Sequence, residues 1–190
     1  MDLVTRTIPA DHYTARADSP RRDVGLIVMH SAEAPERPKV AESIARYFQG
    51  PAAPQASAHF VVDDAEIIQC VRPQDVAWHA PGVNWRSLGI ELAGYAFQTR
   101  DQWLDAWGQK MLPLAARLVA ELCREYGISV RFVPADELNS PYSTATGITT
   151  HQQVSAAFPC GNDGHSDPGP NFPTEYFLEL VQGELSRLSA

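Results

Sequence analysis

The stretch 24-VGLIVMH-30 decides the fold. Six apolar residues run without alternation and stop at a histidine. A run this short and continuous predicts a strand buried on both faces, which requires helices on both sides of its sheet. A second run, 88-LGIEL-92, has the same character except that it carries Glu91. A buried carboxylate without a partner is costly, so Glu91 must face either a partner or a polar cleft.

Working outward, Val40, Ile44, Tyr47 and Phe48 recur at helical spacing after the first strand. The segment 50-GPAAPQAS-57 reads as a loop. Phe60–Val62 and Ile67–Val71, joined through Asp63 and Asp64, predict a hairpin. Another loop covers 80–87. Leu104, Trp107, Met111, Leu114, Leu118 and Leu122 step by three and four, which predicts a long amphipathic helix stopped at Gly127. Pro113 is expected to kink or divide it. Residues 130–133 suggest a short strand and 134–147 a long loop. Thr174 is placed to cap a final helix with apolar positions Phe177, Leu180, Val181, Leu185 and Leu188. Residues 1–22 are polar, with Pro9 and Pro20, and read as a loosely structured lead-in to a domain over 23–190. This order predicts a single α/β domain, a central mixed β-sheet with helices packed on its faces.

Bulk properties narrow the function. The 190 residues suit one domain, and the net charge is 15 − 23 = −8. That balance excludes a nucleic-acid partner and adhesion to an anionic membrane. No apolar run is long enough to span a bilayer. The start, MDLVTRTIPADHY, lacks the order of a secretory signal, so a cytoplasmic start is expected. Cys70, Cys123 and Cys160 include no CxxC pair and read as buried thiols.

Three residues are candidate metal ligands: His30 at the strand end, His151 after 147-GITT-150, and Asp167 in the turn-rich stretch 161-GNDGHSDPGPNF-172. Two imidazoles and one carboxylate form a known catalytic zinc set with a position left for water. Their separations match no spacing rule. Each has a plainer reading, a structural histidine or a turn aspartate. Glu91 reads either as a strand-end carboxylate reaching solvent or an arginine, or as a general base.

Five segments together resemble the type 2, zinc-dependent N-acetylmuramoyl-L-alanine amidases, a group that includes phage endolysin amidases and peptidoglycan recognition proteins. They are 27-IVMHSAEAP-35, 57-SAHFVVDDAEIIQCV-71, 77-AWHAPGVNWRSLGIELAG-94, 149-TTHQQVS-155 and 165-HSDPGPNFP-173, in the order of that family. The resemblance implies one zinc ion per chain on His30, His151 and Asp167, with Glu91 as catalytic base. Some relatives instead use a tyrosine at the position held here by Ala58. Many carry lysine where this chain has His165, so His165 is expected to stabilise the oxyanion, the other readings being a loop histidine without a role or a spare metal ligand competing with Asp167. An imidazole N–H can do so, although its charge changes near neutral pH. Trp78, His79 and Asn84 are candidate substrate contacts. Core packing for Trp78 and a structural hydrogen bond for His59 are equally open. The implied substrate is peptidoglycan, cut between the lactyl group of N-acetylmuramic acid and L-alanine by the catalytic module of an endolysin. A separate wall-binding domain in a longer chain is then expected, with the enzyme held in the cytoplasm until release. The alternatives are a recognition module that binds without cutting and an intracellular wall-recycling amidase.

Overall fold

The computed structural model describes residues 3–16, 23–139, 143–159 and 164–189. In chain order the strands are β1 (Arg6–Thr7), β2 (Tyr13–Thr14), β3 (Leu26–Ser31), β4 (Phe60–Val62), β5 (Ile67–Gln69), β6 (Val76–Ala77), β7 (Ser87–Leu92) and β8 (Gly147–Thr150). The helices are α1 (Val40–Tyr47), α2 (Arg100–Trp103), α3 (Gly108–Tyr126), α4 (Ala135–Leu138), α5 (His151–Ala157) and α6 (Thr174–Leu188). A six-stranded mixed sheet has the order β1-β5-β4-β7-β3-β8, and β2 pairs with β6 in a small ribbon. The expected α/β architecture is present.

The two apolar runs are neighbours. β3 and β7 pair in parallel from Leu26↔Ser87 to Ser31↔Leu92, and β8 flanks β3, also in parallel. Every residue of β3 is buried. Side chains alternate between faces along a strand. Ile27 and Met29 join a large core with Met111, Leu118 and Phe177, from α3 and α6. Leu26 and Val28 join a smaller core with Val83, Leu138 and Val154. His30 follows them onto that second face. In β7 the same period sends Leu88, Ile90 and Leu92 into the large core. That leaves Ser87, Gly89 and Glu91 on the face of His30, with Glu91 directly beside it in register.

The hairpin also forms as expected, β4 pairing antiparallel with β5. Its turn does a second job. The Asp63 carboxylate accepts hydrogen bonds from the backbone N–H groups of Ala65 and Glu66, both at 2.9 Å, and from Ala41 N–H at 3.1 Å in the first turn of α1. The residue before α1, Lys39, has a left-handed backbone and gives no side-chain cap. Asp63 therefore caps α1 from a distant part of the chain. It is fully buried. Asp63→Ala strands three donors and is expected to cost about 3 kcal/mol. The check is a lowered urea midpoint at unchanged slope.

Several elements differ from the sequence expectation. The supposed loose lead-in holds β1, parallel to β5, and β2, antiparallel to β6. Ile8 and Ala10 are buried. Asp11 ties this strap to the end of α1, its N–H donating to the Phe48 carbonyl and its carboxylate accepting from Gly50 N–H. The long helix begins at Gly108 rather than Leu104, because Asp105 Oδ1 accepts from the N–H groups of Trp107 and Gly108. Pro113 lies inside α3 without dividing it. Its neighbours Met111, Leu112, Ala115 and Ala116 are all fully buried, and that packing holds both sides of the missing hydrogen bond. Gly127 ends α3 in a left-handed conformation, as expected. Thr174 is the first residue of α6, and its hydroxyl turns back to the Phe172 carbonyl instead of capping. The 130–133 segment contributes a single bridge, Phe132 to Ile148. Cys70 and Cys123 are buried free thiols, both pushed up to about 12 by burial, with the Glu91 carboxylate adding to the effect at Cys70. Cys160 lies outside the described residues.

Candidate active site

The carboxyl ends of the parallel strands β3, β7 and β8 meet in one crevice, where open α/β sheets place ligands. β3 ends with His30. β8 runs into α5, whose first residue is His151 and whose N-cap, Thr150, accepts from the Gln153 N–H. Asp167 arrives from the chain that follows α5, and its carbonyl accepts from Gln152 N–H at 2.9 Å, which latches the two segments together. Gly169 then lies against the Ala96 carbonyl, 1.8 Å from where a Cβ would be, so only glycine fits that turn.

His30, His151 and Asp167 converge. One potential ligand atom from each lies within 4.8 Å of the others, and all three residues are buried. His30 Nδ1 is 2.9 Å from Asp167 Oδ2, and His151 Nδ1 is 3.1 Å from Asp167 Oδ1. A tetrahedral zinc site with ~2.1 Å bonds has ligand atoms about 3.4 Å apart. The three ligand atoms, within 4.8 Å of one another, would draw together around such an ion, and two nitrogens and one oxygen suit it. Burial pushes the His30 imidazole down from its ordinary value, against the raising influence of Asp167. Burial also opposes ionisation of Asp167, but contacts from His151 and His30 outweigh it and hold that carboxyl well below the usual range. A neutral imidazole and an ionised carboxylate are the forms that bind a metal.

Glu91 lines the same cleft, of about 510 Å³. The residue is partly exposed as a whole, yet its Oε2 is sealed and has no hydrogen-bond partner among the described residues. Burial first, then the negative charges of Asp167 and Glu33, push this carboxyl up to about 8. Among the described residues, no arginine or lysine forms an ion pair with it. A carboxyl shifted in this way and lining a cleft can exchange a proton near neutral pH.

His165 is half exposed. Its ring stacks on His151 at 4.1 Å between centroids, and its Nδ1 is 3.6 Å from Asp167 Oδ1. It therefore stands at the mouth of the cluster. Trp78 is half-buried at the cleft edge. Its indole N–H donates to Thr14 Oγ1 at 3.0 Å, and His12 stacks beside it. The N-terminal strap thus shapes the cleft wall, which no motif in the sequence signalled.

His79 and Asn84 also line the cleft, but their polar atoms serve the protein. Asn84 Oδ1 accepts from the N–H groups of His79 and Ala80. His79 Nδ1 lies 3.1 Å from His30 Nε2, and its Nε2 lies 3.1 Å from Ser87 Oγ. His59 is fully buried, accepts at Nδ1 from Gly89 N–H and reaches the Asp75 carbonyl through Nε2. Its role is structural. The residues that sequence reasoning missed are Ser87 and Gly89. Both sit at even spacing before Glu91, on the strand face that period-2 alternation assigns to the site.

The model of the N-acetylmuramoyl-L-alanine amidase family matches residues 20–170. The chain belongs to that family. The amidase is 30% identical over 162 residues to N-acetylmuramoyl-L-alanine amidase A of Achromobacter lyticus, covering 83% of this chain and 82% of that protein. Among solved structures, it resembles an AmpD derivative at 21% identity and a TM-score of 0.65, covering 95% and 96% of the two chains. It also resembles Staphylococcus aureus hydrolase AmiA, solved in complex with its ligand, at 18% identity and a TM-score of 0.66, covering 97% and 84%. A mutant endolysin from Bacillus subtilis matches at 19% identity and a TM-score of 0.63, covering 94% and 99%. These structures share the amidase fold. Among the described residues, no helix is long and apolar enough to cross a membrane.

Proposed function

We propose that this amidase hydrolyses the amide joining the lactyl group of N-acetylmuramic acid to L-alanine in peptidoglycan, as the catalytic module of an endolysin. The observation that carries the reading is the pairing of the buried His30–His151–Asp167 cluster with the sealed carboxylate of Glu91 on the adjacent strand. One zinc ion on those three ligands would supply a Lewis acid for the lactyl carbonyl and lower the pKa of the attacking water.

The chain's own residues do the rest. Glu91 accepts a proton from the attacking water as its oxygen adds to the lactyl carbon. The protonated Glu91 then donates that proton to the alanine nitrogen as the C–N bond breaks. Its place in the cleft, on the strand beside His30, lets one carboxylate take the proton in the first step and return it in the second. His165, at the mouth of the cluster, donates an N–H to the oxyanion of the tetrahedral intermediate. Trp78, braced by Thr14, offers an apolar face to a sugar ring. His79 and Asn84 line the same cleft, where they can also meet the substrate.

A recognition module that binds without cutting needs neither a complete ligand set nor a desolvated base, and this chain has both. Incubation with defined muropeptides tests the reading by mass analysis of the fragments. The expected products are a free lactyl carboxylate and a peptide with a new N-terminal alanine. Release of any other end group, or wall binding with no release, overturns it. His165→Ala is expected to lower kcat by ~10²–10³-fold without loss of metal, the usual cost of one oxyanion donor. Single-turnover kinetics on a defined muropeptide provides the check.

A further inference from the structure

Behind His30 a line of hydrogen bonds has a fixed direction. Ser87 Oγ lies 2.8 Å from the Val83 carbonyl and 3.1 Å from His79 Nε2. A carbonyl only accepts, so the single serine hydrogen is committed to Val83. Ser87 Oγ must then accept from His79, which places a proton on His79 Nε2. Neutral His79 has a lone pair on Nδ1, and that atom faces His30 Nε2 at 3.1 Å. His30 consequently carries its proton on Nε2 and presents the lone pair of Nδ1 to Asp167 Oδ2 at 2.9 Å. A lone pair that close to a carboxylate is repulsive unless a proton or a cation lies between them.

The packing enforces the same arrangement. The His79 ring lies flat against β7, where a Cβ on Gly89 would stand 2.5 Å from its Cγ and 2.7 Å from its Nδ1. Asn84 Oδ1 holds the His79 and Ala80 N–H groups, fixing the backbone from which the ring projects. Ser87 is fully buried and His79 is buried at the cleft wall.

We propose that His79 and Ser87 are positioning residues that set the tautomer of His30 and hold its Nδ1 as a preformed metal donor. The relay runs from the Val83 carbonyl through Ser87 and His79 to His30, and Gly89 is the glycine that makes room for it. The inference rests on the metal-site reading above. Metal-ligating histidines generally give their second N–H to a carbonyl, carboxylate or water, and losing such a partner costs about 10–100-fold in metal affinity. Here the partner is another imidazole, so the proton order is decided two residues away.

Zinc affinity, measured by chelator competition, is expected to fall ~10–100-fold in His79→Phe. Ser87→Ala should lose on the order of 10-fold, with far-UV circular dichroism unchanged in both variants. In the zinc-loaded wild type, long-range ¹⁵N–¹H spectra of labelled histidine should show both His30 and His79 with the proton on Nε2. In Ser87→Ala, His79 should populate the Nδ1–H form. A wild type that binds zinc, with both variants binding equally tightly, overturns the relay and leaves the metal site standing. So does a His79 protonated on Nδ1 in the wild type. A wild type that binds no zinc overturns the metal site and the relay with it. Should His79→Phe fail to fold, Ser87→Ala, which removes one buried oxygen, decides alone.

Discussion

Glu91→Gln is expected to lower turnover by on the order of 10³-fold or more while the protein retains its zinc. Glutamine preserves the shape of the side chain and removes its ability to take and return a proton. The measurements are muropeptide turnover and zinc content on the same preparation. Near-normal turnover would show that the base lies elsewhere. The variant also carries a stability signature. In the metal-free protein, Glu91 titrates at about 8 against an ordinary value of 4.5, so the folded state binds the proton more tightly than the unfolded one. That contribution to stability is fully present below 4.5 and is lost as pH rises through about 8. The metal-free wild type should therefore weaken across this window in urea titrations, and Glu91→Gln should flatten the slope. A bound dication near Glu91 draws its carboxyl down again, so the loaded wild type should show a shallower slope than the metal-free form.

Asp167→Ala is expected to remove zinc binding under conditions where the wild type is saturated, and turnover with it. Asp167 is the one anionic member of the cluster and touches both histidines. The loss should exceed the ~10–100-fold typical of residues that act behind a ligand. Chelator competition and the melting temperature with and without added zinc read it directly. Zinc should raise Tm in the wild type and leave the variant unmoved, because a metal stabilises the folded state only to the extent that it binds there. Removing this charge also withdraws one cause of the raised Glu91 carboxyl, so the metal-free variant should show a reduced Glu91-dependent slope. The folded Asp167 carboxyl lies below its ordinary value of 3.8. Its own contribution to metal-free stability is therefore present above that pH and lost as pH falls. Retained zinc in Asp167→Ala would remove this residue from the ligand set.

The parts of the fold that were legible in the sequence are those where burial is complete and continuous. β3 and β7 lie between two layers of helices, so their interiors are apolar, and the two ionisable exceptions, His30 and Glu91, identify themselves. α5 was not legible. Among its seven residues only His151 and Val154 are buried, too few to establish a helical period. The N-terminal strap escaped for a related reason. Its strands are two residues long and are held by backbone pairing and by Asp11, neither of which leaves an apolar pattern. For the site, residue chemistry made His30, His151, Asp167 and Glu91 candidates, family resemblance implied their roles, and the structure brings them together. What a linear reading could not supply is the direction of a hydrogen bond. His79, a candidate substrate contact in the sequence, lines the cleft with its ring between His30 and Ser87.

The reacting groups and the cleft walls belong to different parts of the chain. His30, Glu91 and His151 stand on or directly after the three adjoining parallel strands, whose interiors are fully covered. Tyr47, Gln55 and Trp78 lie on the C-terminal turn of α1, a proline-rich loop and a segment braced by the strap. None of these lies on β3, β7 or β8. The enzyme is in this sense modular within one domain. Changes in the 50–57 loop would alter the cleft wall at Gln55 and Ala56 while leaving the residues on β3, β7 and β8 in place.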